Sequence, residues 1–406
     1  MKILVINAGS SSIKYQLFDM ADRVVLASGL VERIGEENGR IKHATPSRPE
    51  LPPVSREMPI PDHQTGLGQV VRLLLDPETG VIASPDEIAA VGHRVVHGGE
   101  RFSAPTVIND EVLTVIDALT ALAPLHNPAN LSGIRVAKNL FPHARQVAIF
   151  DTAFHQTMPA HAYRYAIPNA LYEQNHVRVY GFHGTSHLYV TKMAAQHLAQ
   201  RLEDTNLITA HLGNGASITA ISGGKSVDTS MGFSPLPGLI MGTRSGDIDP
   251  AILFHLANDQ GMTIAEMDRL LNKQSGLLGI SGDNDLRDLE RRMAEGDTSA
   301  KLAFDMYTYR IKKYIGMYTA VLGRVDALVF AAGVGENSVL VRQHACAGLE
   351  FLGYALAPDK NARGKQGQVT EIQSAESKCK ILIIPTNEEL EIALQVETVI
   401  QSKTQV

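Results

Sequence analysis

Cysteine is scarce: Cys346 and Cys379 are the only two in 406 residues. Two thiols cannot build a disulfide framework or a Cys-rich zinc site, so reduced thiols in a cytosolic protein are the simpler expectation. Long apolar runs are missing as well. No stretch approaches the roughly 18 uncharged apolar residues that a membrane span needs, and the opening Met1-Lys2-Ile3-Leu4-Val5-Ile6 is too short for a signal-peptide core. Nor is there a basic surplus. The 37 Lys and Arg against 43 Asp and Glu leave a net charge of −6, which argues against general nucleic-acid binding. What is present is an apolar fraction of 44%, enough for real cores, in a chain two to three times the length of a typical single domain. Two large domains are expected.

Several short apolar runs end abruptly in small or polar residues: Ile3 to Ile6, Val147 to Phe150, Leu207 to Ala210, Ala327 to Ala332 and Ile381 to Ile384. Rich in branched residues, they read as buried strands. Between them lie helical patterns, with Val112, Ile116, Leu119 and Leu122 on one face and Leu131, Ile134 and Val136 on another that opens after Pro128. The tail after Glu388 repeats Leu390, Ala393, Leu394, Val396 and Ile400 at helical spacing. Alternating strands and helices give an α/β class. Residues 36–66 carry Pro46, Pro49, Pro52, Pro53, Pro59 and Pro61, too many for a central strand or helix interior, and read as an excursion on the first domain.

The segment Ile3 to Lys14 resembles Ile208 to Thr219, with Ser12 matching Ser217 at an offset of 205, half the chain. Both copies read strand, small-residue turn, strand. Either a domain is duplicated or two glycine-rich hairpins match by chance.

Two standard nucleotide motifs fail. Gly223-Gly224-Lys225-Ser226 lacks the earlier glycine of a Walker A loop, where Thr219 stands, and Gly333 to Ser338 lacks the third glycine of a dinucleotide fingerprint. Phosphate can still be held by small-residue turns whose N–H groups converge without a side chain in the way. Asn7 to Ser12, His211 to Gly215 and Gly333 to Asn337 qualify, each after an apolar strand, and together they suggest a nucleotide cradled between domains. Arg94 in His93-Arg94-Val95-Val96-His97-Gly98-Gly99 and Arg244 in Gly242-Thr243-Arg244-Ser245-Gly246-Asp247 are read as loop guanidiniums, suited to an anion or to a plain surface salt bridge. Asp151 ends a buried strand, where a working carboxylate or a structural acid would sit. His183 and His187 have metal-ligand spacing, but the intervening glycine favours instead a histidine that donates to an oxyanion. In Thr386-Asn387-Glu388-Glu389, either glutamate could stabilise a helix N-terminus, or a carboxylate there could hold Mg²⁺.

Taken together, these motifs, with Leu125-His126-Asn127-Pro128 and Phe150-Asp151-Thr152-Ala153-Phe154-His155, resemble the acetate kinase family, within the acetate and propionate kinase group, over essentially the whole chain. The resemblance implies two duplicated ribonuclease H-like, actin-like and sugar-kinase-like domains around an ATP cleft, here 1–150 completed by 388–406, and 151–387. It implies a cytoplasmic homodimer that reversibly transfers phosphate between ATP and acetate with Mg²⁺, or Mn²⁺ as an alternative, and without nucleic-acid or membrane partners. Carried over residue by residue, Asn7 and Glu388 would be metal positions. Arg94, Asp151, His183 and Arg244 would be catalytic. Arg94, Val96, Leu125, His126, Phe182 and Pro235 would bind the acid. Lys14, His211, Leu212, Gly213, Asn214, Gly215, Asp285, Leu286, Arg287, Gly333, Val334, Gly335, Glu336 and Asn337 would hold the nucleotide. Acetate is already an anion and needs no base, so Asp151 is expected to orient an arginine or an outer-shell water of the metal. A propionate kinase differs by one methylene, a modest energetic difference in an apolar pocket. An ATP-driven clamp would lack a carboxylate pocket, and a sugar kinase would need polar groups where Val96, Leu125 and Phe182 stand.

Overall fold

Runs of branched apolar residues become the central strands of two sheets, because a strand covered on both faces can be apolar throughout. A computed structural model describes residues 1–123, 126–364 and 367–402. Its strands are β1 (Lys2–Ala8), β2 (Ser12–Asp19), β3 (Val24–Glu32), β4 (Arg40–Ala44), β5 (Val54–Glu57), β6 (Ile88–Val95), β7 (Thr106–Val107), β8 (Arg145–Phe150), β9 (Leu207–Leu212), β10 (Ala216–Ser222), β11 (Lys225–Thr229), β12 (Ala327–Ala331), β13 (Thr370–Glu371) and β14 (Lys380–Ile383). The sheet orders are β5-β4-β3-β2-β1-β6-β8-β7 and β11-β10-β9-β12-β14-β13. Each contains the same five-strand unit. Three antiparallel strands, β3-β2-β1 or β11-β10-β9, are followed by two that run parallel to the third, β6 and β8 or β12 and β14. The repeat between Ile3 to Lys14 and Ile208 to Thr219 is therefore a repeat of fold, with a hairpin opening each sheet.

The chain divides into two compact units, Met1–Ala153 with Asn387–Val406, and Phe154–Thr386. Asp151 and Asn387, expected in the second domain, fall in the first unit. Asp151 belongs there because its backbone N–H donates to Val95 O at the end of β6.

In the first unit, one face of the sheet is covered by the helices His63–Leu74 and Asn127–Leu140, through Leu67, Val70, Leu74 and Ala137. The other is covered by the helix Glu388–Ser402, whose Ile392, Ala393 and Val396 pack on Ile3, Val5 and Ile149. The fit is close. A Cβ at Gly92 would lie 2.8 Å from side-chain atoms of Ile392 and Val396, so only glycine lets this helix approach β6. In the second unit, the helix Gly184–His197 buries Val190 and Ala194 with Leu207 and Val329, and the helix Thr298–Leu322 buries Phe304, Ile311 and Ile315. Each large apolar side chain buried this way contributes roughly 1.5–3 kcal/mol.

Some expectations shift. The helix expected through Leu122 ends at Ala118 and tightens into a 3₁₀ turn over Leu119–Ala121. Ala332, expected in a strand, opens a short helix with φ 63°. The proline-rich 36–66 stretch supplies β4 and β5 at the sheet edge, with all six prolines outside the strands. Among the described residues, no helix is long and apolar enough to cross a membrane.

Candidate active site

Parallel strands end side by side, and chemistry collects at their carboxyl ends. In the first unit, β6 carries Arg94 beside the end of β8, from which Asp151 emerges. The guanidinium grips this carboxylate with two donors: Arg94 Nε lies 3.2 Å from Asp151 Oδ1, and Nη2 donates to Oδ2. Arg94 Nη1 reaches Asn7 Oδ1 at the end of β1, 3.4 Å away. Glu388, at the start of the last helix, stands 4.0 Å from Arg94 Nε, and Lys14 on β2 pairs with Glu389 at 2.5 Å. Burial alone would lower the Arg94 pKa, but Asp151 and Glu388 reverse the sign and hold it above its ordinary value. Burial raises the Glu388 carboxyl, with Arg94 opposing the shift.

This cluster is braced from below by two asparagines, Asn127, which was noted only within the Leu125 to Pro128 motif, and Asn130, which sequence reasoning passed over. Asn130 donates to Ala8 O (2.7 Å) and accepts from Val96 N (3.1 Å), while Asn127 accepts from His97 N (3.3 Å). Both are buried polar side chains on the helix after Pro128, and a buried amide that bridges two strand ends fixes their spacing. The only sequence signal of Asn130 was the polar residue itself on an otherwise apolar helix face.

In the second unit, His183 has φ 56°, a left-handed conformation that non-glycine residues rarely adopt, and it caps the helix Gly184–His197. Its ring stacks on His211 with centroids 4.3 Å apart, and its Nδ1 meets Ser217 Oγ at 2.9 Å. A Cβ at Gly215 would lie 3.5 Å from His183 Nε2 and 3.7 Å from Arg244 Nη1, so the glycine turn, the imidazole edge and the guanidinium converge. Arg244 rests on Pro235 O (3.2 Å), and among the described residues no carboxylate pairs with it. Burial lowers its pKa.

The loop carrying Arg244 is clamped by the long helix Thr298–Leu322. Arg310 donates to Gly238 O (2.9 Å), Tyr314 donates to Asp247 Oδ2 (2.7 Å), and Asp247 Oδ1 accepts from Gly238 N (2.7 Å). These residues went unnoticed in the sequence, except Asp247 as the end of a motif.

Three of the nucleotide segments meet in one cavity of about 710 Å³: Gly213 and Asn214, Asp285 to Arg287, and Gly333, Val334 and Asn337. Gly242, Leu277, Asn284, Glu290, Tyr307 and Ser338 complete its wall. A Cβ at Gly242 would lie 2.3 Å from Asn214 Oδ1, so a side chain there would push the Asn214 amide aside. His211, Leu212, Gly215, Gly335 and Glu336 do not line it. His211 Nδ1 meets Ser186 Oγ (2.7 Å), and Glu336 accepts from Thr386 N (3.1 Å). Of the residues expected to receive the acid's methyl group, Val96 is buried in the first unit, and Phe182 is buried and Pro235 half-buried in the second. His126 is half-buried, and Leu125 lies outside the described residues.

Among the described residues no group of three His, Cys, Asp or Glu could hold a metal by itself. A hard cation that keeps waters and takes phosphate oxygens needs only one or two protein oxygens, and Asn7 and Glu388 supply that donor type.

The profile of the acetokinase family matches residues 2–394. An acetate kinase of Streptomyces griseus is 55% identical over 395 residues, which are 97% of this chain and 95% of that protein. The crystal structure of an acetate kinase from Porphyromonas gingivalis superposes with a TM-score of 0.93 at 46% identity, covering 98% of this chain and 99% of that one. A propionate kinase from Francisella tularensis gives 0.90 at 42% identity, covering 97% and 98%.

The buried histidines make a prediction about acid. Burial holds His93 and His155 down at about 4 and His187 well below its ordinary value. These rings stay neutral when folded but take up protons in the unfolded chain below about pH 6.5. The unfolded chain then binds more protons, so stability falls as pH drops from about 6.5 towards 4, by up to roughly 1.4 kcal/mol per pH unit per histidine. Urea unfolding midpoints should fall between pH 7 and pH 5, less steeply in His155→Gln. Midpoints that do not move would contradict neutral buried rings.

Proposed function

The chain belongs to the acetokinase family, and from that premise we propose the reaction it carries out: reversible transfer of the terminal phosphoryl group of ATP to acetate, giving acetyl phosphate and ADP. It is a kinase whose acceptor is a carboxylate. The observation that carries the reading is Arg244, a half-buried guanidinium with no carboxylate partner among the described residues, whose Nη1 shares the Gly215 turn with the His183 ring edge. A cation built this way is a seat for an anion.

An acetate oxygen attacks the terminal phosphorus in line, and the bond from phosphorus to the bridging oxygen of ADP breaks. Charge spreads over three equatorial oxygens, so catalysis consists of positioning and electrostatic stabilisation. Arg244 and His183 donate to these oxygens, and the family resemblance assigns Arg94 to the acid and the moving phosphoryl group. Asp151 removes no proton, because acetate has none to give at neutral pH. It aims Arg94, whose Nε and Nη2 it occupies. The family resemblance assigns Val96, Leu125, His126, Phe182 and Pro235 to the acid and its methyl group. The cavity beside Asp285 to Arg287 takes the nucleoside, His211 to Gly215 and Gly333 to Asn337 take its phosphates, and Lys14 contacts ATP by giving up Glu389. Asn7 and Glu388 would hold Mg²⁺, with Mn²⁺ as an alternative. When bound, the ion neutralises phosphate charge.

The unpaired thiols of Cys346, buried, and Cys379, half-buried, support a cytoplasmic location. The helix Thr298–Leu322 also presents Leu302, Met306, Tyr309, Met317 and Val321 to solvent along one face, a patch that a second copy of the chain would cover to form a homodimer.

Hydroxylamine trapping across short carboxylic acids tests the reaction. Acyl hydroxamate should form fastest from acetate. The preference in kcat/KM over propionate should be on the order of tenfold, since one methylene is worth about 1–3 kcal/mol. Faster reaction with propionate would shift the assignment to a propionate kinase, and no hydroxamate from any acid would refute it. In sedimentation, the chain should run as a dimer that Leu302→Glu with Met306→Glu dissociates. A monomer at micromolar concentration would contradict the assembly.

A further inference from the structure

Behind His183 runs an unbroken file of hydrogen bonds. His183 Nδ1 lies 2.9 Å from Ser217 Oγ, Ser217 Oγ lies 2.8 Å from His187 Nε2, and His187 Nδ1 lies 2.7 Å from Thr209 Oγ1. Ser217, His187 and Thr209 are fully buried. Burial, with the neighbouring His155 and His211 rings, keeps His187 neutral, so it carries a single proton.

A neutral imidazole has one donor and one acceptor nitrogen, and a hydroxyl has one proton to give. With the Ser217 proton given to one of its two imidazole neighbours, the file has two self-consistent arrangements. In the first, Thr209 donates to His187 Nδ1, His187 Nε2 donates to Ser217, and Ser217 donates to His183 Nδ1. In the second every donor is reversed, and His183 Nδ1 holds a proton. The ring edge decides between them. His183 Nε2 faces the Gly215 turn and Arg244, where the preceding reading seats the phosphoryl group. In the first arrangement Nε2 turns a proton towards that anion, and in the second a neutral ring would turn a lone pair towards it.

We propose that Ser217 and His187 are positioning residues that hold His183 in its Nε2–H tautomer, so that the imidazole meets the moving phosphoryl group as a ready donor. The inference rests on the role given to His183 above. Tautomer and orientation are fixed by different neighbours. The Ser217 file sets the proton, while the stack on His211 and the left-handed backbone set the ring plane. A group already in its reactive state needs no rearrangement when charge develops.

Nitrogen NMR of the full-length enzyme with ¹⁵N-labelled histidine reads the tautomer directly, with His183 assigned by the signal lost in His183→Gln. The expected result is an unprotonated Nδ1 and a protonated Nε2. Ser217→Ala should mix the two tautomers and lower kcat at least about tenfold while both KM values stay within about twofold, as expected when an orienting partner of a catalytic imidazole is lost. Ser217→Thr, which keeps the hydroxyl, should restore most of the rate. A protonated Nδ1 in the neutral ring, or a Ser217→Ala enzyme with full kcat, would overturn the proposal. Should Ser217→Ala fail to fold, the spectrum of the unsubstituted enzyme decides alone. An unimpaired His183→Gln would instead defeat the role of His183, whereas a dead His183→Gln beside an unimpaired Ser217→Ala defeats only this inference.

Discussion

A carboxylate buried at the end of β8 and a guanidinium at the end of β6 hold each other, and the geometry of the first unit's strand ends depends on that grip. Asp151 is 1% exposed, and a charge so enclosed persists only beside an opposite one. Breaking such a pair from one side costs roughly 3–5 kcal/mol, because the remaining charge is left buried and alone. The pair also has a geometric consequence. With Nε and Nη2 committed to Asp151, the guanidinium cannot swing, and its third nitrogen falls beside Asn7 at the end of β1. Three strand ends are thereby stitched around one cation, and Asn130 and Asn127 keep the backbone beneath them from drifting.

The second unit solves the opposite problem. On the proposed reading Arg244 must stay in place without a carboxylate, since a built-in partner would compete with the anion it would receive. Its stiffness comes from the loop instead. Arg310 and Tyr314 pin both ends of residues 238–247 to a 25-residue helix, and Pro235 O takes one guanidinium donor without neutralising it. His183 is handled in the same manner, its plane set by His211 and its inner nitrogen by Ser217. Both groups reach their poses through neighbours that carry no net charge into the site.

Much of this was legible in the chain. Central strands announce themselves because Ile3 to Ile6, Leu207 to Ala210 and Ala327 to Ala331 are apolar on both faces, and the offset between the two hairpins already hinted at a repeated fold. Residues with distinctive chemistry next to glycine, such as Arg94, Arg244 and the 211–215 turn, also stood out. What stayed hidden acts through tertiary contact alone. Asn130 looks like any helix asparagine until Ala8 and Val96 are seen to flank it, and Arg310 and Tyr314 sit on a helix whose periodicity says nothing of the loop they hold. Tyr307 enters the cavity wall from a helix whose own pattern says nothing of the cavity, and Glu290 reaches it one turn beyond Arg287. The boundary near residue 150 slipped for a related reason: Asp151 follows its strand, but its allegiance is set by Arg94 and Val95.

The most direct test is the single-turnover rate of phosphoryl transfer in Asp151→Asn, measured together with the affinities for nucleotide and divalent ion. Asparagine keeps the shape but loses the charge that aims Arg94, and misplacement of a positioning group by about 1 Å can cost on the order of 10²-fold. A fall of that size, with both affinities nearly intact, is the predicted result. Near-full turnover with unchanged metal affinity would contradict the claim that Asp151 works by fixing the Arg94 guanidinium.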